Sequence, residues 1–236
     1  MRVVVTRPKD RAQATAARLL AMGHEPVLLP LSVARHLTEA AKRGLSHSYP
    51  AIAITSAEAL RAVDIADLAP HLATPLFAVG KKTAQAARDV GFANIRIAAG
   101  DGASLAELIA RAAPAQLLYL TGRPRSSTLE AALSERAIRH TVTECYEMVA
   151  LEPQRDEIAA LLQPTPGAIL FHSRETARLF FQLPAIEPAI ENDPIGFVPR
   201  IIACLSARVA DIVPPILRDR IRVAEKPDEA SLLALL

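Results

Sequence analysis

The chain is 236 residues long, with 27 basic against 25 acidic residues, a formal net charge of +2 and 51% hydrophobic residues. That near balance excludes a dedicated nucleic-acid binder, while the apolar half suffices for a sizeable core in one large or two modest domains. No apolar run approaches the ~20 residues a bilayer-spanning helix needs, so no membrane association is expected.

The opening MRVVVTRP runs straight into a strand pattern without the apolar stretch or small-residue cleavage site of a secretory leader, which predicts a cytoplasmic protein. Val3–Val5 is a short β-branched run. Pro8 then stands where a first helical turn tolerates proline, an Ala/Leu helix follows, and Gly23 ends it. Pro26–Leu29 is the next strand. The rhythm recurs at Ala51–Thr55, Leu76–Val79, Asn94–Ala98, Leu117–Leu120, Thr141–Cys145, Ala168–Phe171, Ile201–Leu205 and Ile221–Ala224. Strands alternating with helices predict an α/β fold, its parallel sheets covered by helices on both faces.

The chain also repeats itself. Thr6-Arg7-Pro8 returns as Gly122-Arg123-Pro124 at an offset of 116, each copy followed by an Ala/Leu helix and a turn with a histidine, His24 or His140. ITSAEALR (Ile54–Arg61) returns as FHSRETAR (Phe171–Arg178) at 117, keeping Ser56/Ser173, Glu58/Glu175 and Arg61/Arg178. FAVGKKTA (Phe77–Ala84) returns as ACLSARVA (Ala203–Ala210) at 126 and continues through Ile95–Ala98 and Ile221–Ala224 to Ser104–Leu108 and Ser231–Leu235. Three blocks in one order at near-constant offset predict a duplication. The repeat alone would cut the chain near Pro114. Before the last block's second copy, Gln182–Arg200 carries Pro184, Pro188, Pro194 and Pro199 and reads as a surface insertion.

In open parallel sheets, ligands bind beyond the carboxyl ends of strands, where helix N-termini present free N–H groups. Each block puts polar residues there: Thr6/Arg7 and Gly122/Arg123, Thr55/Ser56 and His172/Ser173, Gly80–Thr83 and Ser206–Arg208. Ser56 and Ser173 also suit helix capping alone. Six such junctions, in two sets of three, are expected to line one cleft. Only five lysines stand against 22 arginines. That bias fits either a polyanionic ligand held by guanidinium groups or genomic composition. Tyr146 lies in the extended, proline-terminated stretch TECYEMVALEP (Thr143–Pro153), whose first-copy counterpart is LLPLSVARH (Leu28–His36). Its spacing fits a packed linker aromatic as well as a functional phenol.

Sharper motifs fail. Gly80–Thr83 resembles the end of a phosphate-binding loop, but Pro75 occupies the first glycine's place; Gly100-Asp101-Gly102 lacks the third glycine of a dinucleotide fingerprint, Leu105 standing there. The six histidines have no zinc spacing and no serine sits in a nucleophile elbow. Cys145 and Cys204 form no CxxC pair and are expected as reduced core thiols.

Taken together, VVVTRP, LLPL, ITSAEALRA, FAVGKKTAQAARDVGF, YLTGRPR, ECYEM, LFHS and the closing VAEKPDEASLLALL resemble the uroporphyrinogen-III synthase family over nearly the whole chain. The resemblance implies two similar flavodoxin-like domains with a crossed-over chain: 1–30 with 153–236 in one, 36–145 in the other, and a two-stranded linker of Leu28–Arg35 and Cys145–Glu152. It implies a lyase that takes the linear tetrapyrrole hydroxymethylbilane, expels its terminal hydroxyl as water and closes the macrocycle with ring D turned round. The scheme runs through an azafulvene and a spiro-pyrrolenine and contains no redox step, so no cofactor and no metal are expected. The family's linker tyrosine corresponds to Tyr146 and its threonine after the third-block glycine to Thr83. In the other copy Val209 replaces the threonine, and Leu205-Ser206 replaces Val-Gly. Acetate and propionate groups would be held by junction N–H groups with Arg7, Lys82, Arg123, Arg125 and Arg208, beside Thr6, Thr55, Ser56, Gly122, His172, Ser173 and Ser206. A transient handover from hydroxymethylbilane synthase would supply the substrate. The alternative is a non-catalytic two-domain small-molecule-binding protein, since two α/β lobes on a hinge produce many of the same signals.

Overall fold

Three consecutive β-branched residues are stiff at χ1 and suit a pleated surface buried on both sides. They form β1 (Arg2–Val5), with Val3, Val4 and Val5 fully buried. Pro8 stands immediately before α1 (Lys9–Ala21), and the chain leaves that helix through Gly23 at φ +77°, a left-handed conformation that glycine adopts without a Cβ clash. β2 is Glu25–Leu28 and β3 is Ser32–His36.

The computed structural model describes residues 1–184, 186 and 199–236, so most of the stretch read as a surface insertion lies outside the described residues. After β3 the strand–helix alternation continues with α2 (Thr38–Leu45), β4 (Ile52–Ile54), α3 (Glu58–Arg61), α4 (Ile65–Leu68), β5 (Leu76–Ala78), α5 (Lys81–Val90), β6 (Ile95–Ile97) and α6 (Gly102–Ala112). It resumes with β7 (Leu117–Arg123), α7 (Thr128–Glu135), β8 (His140–Ala150), α8 (Arg155–Leu161), β9 (Ala168–Phe171), α9 (Arg174–Phe181), β10 (Ile201–Cys204), α10 (Ala207–Ala210), β11 (Ile221–Val223) and α11 (Glu229–Leu233). The duplication extends to helix capping. Asp101 accepts a hydrogen bond from the Ser104 N–H at the start of α6, as Asp228 does from Ser231 at the start of α11.

Among the described residues the strands make two sheets, a five-stranded one in the order β11-β10-β9-β1-β2 and a six-stranded one in the order β3-β8-β7-β4-β5-β6. The ladder from β11 to β2 is parallel, as is that from β8 to β6. β3 runs against β8: Leu37 N–H donates to the Cys145 carbonyl at 2.7 Å and Leu151 N–H to that of Leu31 at 3.0 Å. Copy by copy, β2-β1-β9-β10-β11 repeats as β8-β7-β4-β5-β6. Each sheet therefore combines the first two strands of one copy with the last three of the other, and the six-stranded sheet adds β3 at its edge.

Contacts divide the chain into a terminal unit, Met1–Val33 with Val149–Leu236, and a middle unit, Ala34–Met148. A cut near Pro114 falls inside the middle unit, between α6 and β7. In each unit both sheet faces are buried, as parallel strands require. Val4, Ile169 and Ile202 face one core of the terminal unit, while Val3, Val5 and Leu170 face the other. In the middle unit Ile52 and Ile54 face one core, Ala53 and Tyr119 the other. Cys145 and Cys204 are buried free thiols whose pKa values burial pushes up to about 12, leaving them protonated and inert.

Candidate active site

In the strand order of each unit the direction of the chain's progress reverses once, between β1 and β9 in the terminal unit and between β7 and β4 in the middle unit. Such switch points open a crevice at the carboxyl ends of the strands, because the flanking connections leave on opposite faces. The junction residues collect there: Thr6/Arg7 with His172/Ser173 in one unit, Gly122/Arg123 with Thr55/Ser56 in the other. Ser206/Arg208 and Lys82/Thr83 begin α10 and α5, one strand further along each sheet.

In the terminal unit several of these groups are turned inward. Thr6 is fully buried and its hydroxyl donates to the Leu170 carbonyl at 3.0 Å, tying β1 to β9. Arg7, with its side chain 17% exposed, donates through Nη1 to Glu229 at 3.0 Å and to the Thr15 hydroxyl at 3.2 Å. Glu229 also receives the Thr15 hydroxyl at 2.5 Å and pairs with Arg18. Burial pushes the Glu229 carboxyl upward, but the Thr15 hydrogen bond and the charges of Arg7, Arg18 and His172 outweigh it and hold its pKa below the usual 4.5. Burial also lowers the Arg7 guanidinium, against the opposing pull of Glu229. Ser173 caps α9, accepting from the Thr176 N–H at 3.2 Å. Ser206 is half-buried and Arg208 exposed, whereas Val209 is part of the core.

The middle unit's switch point is more polar. A β-bulge interrupts the β7–β8 register: Thr121 faces Glu144 but Gly122 faces Tyr146, leaving Cys145 as the extra residue. The Tyr146 ring lies directly over the Gly122 α-carbon, in the space a Cβ would need. Tyr146 is half-buried and packs against the core formed by Ile52, Ile54 and Leu120. Arg123 donates through Nε to Glu147 at 2.7 Å and also reaches Glu144 at 3.4 Å. Glu147 pairs with Arg35 as well. Arg125 bridges Glu130 and Glu144, each at 2.6 Å, and the Glu130 hydrogen bond raises its guanidinium pKa further. Three arginines and three glutamates thus form one neutral cluster, yet half of the Arg123 side chain stays exposed. Beside it, Thr121 Oγ1 donates to the Tyr119 hydroxyl at 3.0 Å, and that hydroxyl lies 3.0 Å from Thr55 Oγ1. Ser56 accepts from the Glu58 N–H at 3.2 Å. Glu58 lies 2.7 Å from the His36 ring and 2.8 Å from Arg61. Lys82 is exposed; Thr83 is buried on the first turn of α5.

Two differences from the sequence reading have physical causes. Thr141–Cys145 and the stretch after it are one continuous strand of 11 residues, because β3 extends the pairing along β8 past the bulge. Ser56 precedes a helix that starts at Glu58, so it closes a turn one residue early while Ser173 caps in full. Tyr119, Thr121, Glu144, Glu147 and Glu229 were not singled out from sequence. Comparing the copies exposes the first two, since Val3 and Val5 stand at the corresponding positions.

No group of three or more His, Cys, Asp or Glu suited to a metal ion occurs among the described residues, and no described helix is long and apolar enough to cross a membrane. A cavity lined by Ala210, Asp211, Val213, Arg218 and Ile221 opens at the opposite, N-terminal edge of the terminal unit's sheet.

The family model described as uroporphyrinogen-III synthase HemD matches residues 13–234. Comparison with curated proteins gives no match. Among solved structures, the uroporphyrinogen-III synthetase of Helicobacter pylori is similar with a TM-score of 0.65 at 18% identity, covering 100% of this chain and 98% of that one. A mutant uroporphyrinogen III synthase of Thermus thermophilus is similar with a TM-score of 0.58 at 20% identity, covering 99% of this chain and 96% of that one. At those identities the likeness establishes the α/β fold.

Proposed function

The chain belongs to the uroporphyrinogen-III synthase family, and from that premise we propose how its two switch points carry the reaction. A synthase of this family is a lyase: it removes the terminal hydroxyl of hydroxymethylbilane as water and closes the macrocycle with the last ring inverted. Loss of water and carbon–carbon bond formation change no oxidation state, so the chemistry itself calls only for proton management and positioning.

Hydroxide is a poor leaving group, and a hydrogen-bond donor at the departing oxygen lowers the barrier. In this reading Tyr146 is that donor. What carries the assignment is the bulge that sets its ring on Gly122 at the end of β7, half-buried against Ile52, Ile54 and Leu120. Thr83, in the first turn of α5, assists from beyond the end of the next strand, β5. The substrate's carboxylates meet the N–H groups at the starts of α5 and α9, the guanidinium faces of Arg123, Arg125 and Arg208, the Lys82 ammonium, and the polar groups of Thr55, Ser56, His172, Ser173 and Ser206. Thr6 and Arg7 serve mainly by fixing the β1–α1 connection, and Gly122 by making room. The functional domains are 1–30 with 153–236 and 36–145, joined by Leu28–Arg35 and Cys145–Glu152. The same reading places the protein in the cytoplasm, with its substrate handed over transiently by the enzyme that makes it.

The test is incubation with enzymatically prepared hydroxymethylbilane. Accelerated closure to isomer III supports the assignment; isomer I alone, the product of spontaneous closure, overturns it. Tyr146→Phe keeps the ring and removes the donor, so turnover should fall by about 10²-fold or somewhat less, with an unchanged melting temperature. A variant matching the parent in rate and isomer ratio would leave Tyr146 as a packed aromatic and positioning as the source of the rate.

A further inference from the structure

We propose that Tyr119 and Thr121 are positioning residues that orient the Thr55 hydroxyl as a hydrogen-bond donor to a substrate carboxylate. This rests on the synthase reading above. The three hydroxyls lie on one face of the middle sheet, two on β7 and one just past the end of the adjacent β4, where Ala53 is opposite Tyr119. Tyr119 is almost wholly buried, yet its ring reaches along the sheet far enough to set the phenol between Thr121 and Thr55, at 3.0 Å from each.

The 3.0 Å contact between Tyr119 and Thr55 allows either oxygen to donate, and acidity favours one direction for the chain. Thr121 Oγ1 donates to the Tyr119 oxygen. A phenol has one proton and is a better donor than an aliphatic alcohol, so Tyr119 gives that proton to Thr55 Oγ1. Thr55 accepts, and its own O–H turns toward another acceptor. Each bond polarises the next, so the terminal O–H is a stronger donor than an isolated threonine's. Thr121 and Tyr119 are buried and Thr55 is half-buried, so the chain runs from the interior to the switch point. An acceptor-only, negatively charged group is what an outward-facing, polarised donor there recognises best. Val3, Val5 and His172 occupy the corresponding places in the terminal unit, so the device exists on one side only.

The experiment is a double-mutant cycle on steady-state kinetics with hydroxymethylbilane. A hydrogen bond to a charged group is worth about tenfold in affinity at least. Thr55→Val should therefore raise KM about tenfold with little change in kcat. Tyr119→Phe should raise KM by a smaller factor, about three- to fivefold, through loss of orientation, and should add nothing in the Thr55→Val background. Thr121→Val should act in the same direction and Thr121→Ser should restore the parent KM; this pair also serves if Tyr119→Phe fails to fold. Multiplicative effects in the double variant, or losses in kcat alone, would overturn the proposal while leaving the synthase reading intact. A parent that makes no isomer III would overturn both.

Discussion

The terminal and middle units share a strand order and nearly a sequence pattern, but their switch points are built differently. Where the terminal unit has Val3 and Val5, the middle unit has Tyr119 and Thr121; where one has Thr6 bonded to the neighbouring strand, the other has Gly122 bare under a tyrosine ring. The paired arginines diverge most. Arg7 is folded onto Glu229, a carboxylate from the far end of the chain, whereas Arg123 is held by glutamates of the adjacent strand and remains half exposed. The substrate class implied by the family is linear, with one chemically distinct end. Two identical half-sites would bind it equally well in either direction. In the proposed reading, divergence between the two copies removes that ambiguity, with one half mainly a rigid platform and the other a polar working surface.

The largest expected effect tests the platform side. Glu229→Gln leaves Arg7 largely buried opposite a neutral group, which should cost about 3 kcal/mol of stability. Glu147→Gln should cost about 1 kcal/mol at most, because Arg35 and Arg123 can turn to water. The pH dependence has a definite sign. Glu229 titrates below its usual 4.5, so its contribution is complete above that value and disappears as pH falls through the lowered one. Denaturant melts of parent and Glu229→Gln should therefore differ at neutral pH and converge in acid. A gap that persists to strongly acidic pH, or equal costs for the two glutamates, would remove the contrast between the units.

That contrast was only partly legible in the sequence. The alternation of strands and helices is set by local residue type, Val3–Val5 and Gly23 being clear cases, and so the α/β class could be read directly. The junction residues were legible for the same reason: each lies where a strand run gives way to a helix start. Tyr119 and Thr121 were hidden because they sit inside an otherwise apolar strand, where a tyrosine reads as core. Only the copy-to-copy comparison marks them. Glu144 and Glu147 are three residues apart, on opposite faces of a regular strand, and nothing local signals that a bulge turns both toward Arg123 or that Arg125 and Arg35 converge on them. The bulge at Cys145 has no glycine or proline to announce it; it is imposed by the pairing of β7 with β8.

Gly122 gives a smaller and sharper test of the same divergence. A methyl at Gly122 would enter the Tyr146 ring, so Gly122→Ala must displace the ring or the bulge. The expected cost is about 1–3 kcal/mol, as for other overpacked sites, with a fall in turnover beyond what the lost stability explains. At the matching position of the terminal unit, Thr6→Ala removes a single hydrogen bond and should cost about 1 kcal/mol. Turnover there should follow stability alone. If Gly122→Ala leaves both melting temperature and turnover at parent values, the close approach of ring and backbone is not what fixes Tyr146.

The smallest effects are expected where the two halves remain most alike, at Ser56 and Ser173. Ser173 accepts from the Thr176 N–H at the start of the eight-residue α9, and losing that cap should cost about 1 kcal/mol. Ser56 bonds the Glu58 N–H ahead of a single helical turn, so Ser56→Ala has less structure to destabilise and should cost a few tenths of a kcal/mol. The kinetics separate the two meanings of these serines. A serine that only caps loses melting temperature while KM for the tetrapyrrole stays put. One whose hydroxyl or neighbouring N–H groups meet a carboxylate raises KM even after correction for the folded fraction. On the asymmetry between the units, Ser56, next to Thr55 of the hydroxyl chain, should show the larger rise in KM despite its smaller effect on stability. The reverse order, with Ser173→Ala dominating both measurements, would mean that the terminal unit carries the substrate contacts and that the polar surface of the middle unit has another use.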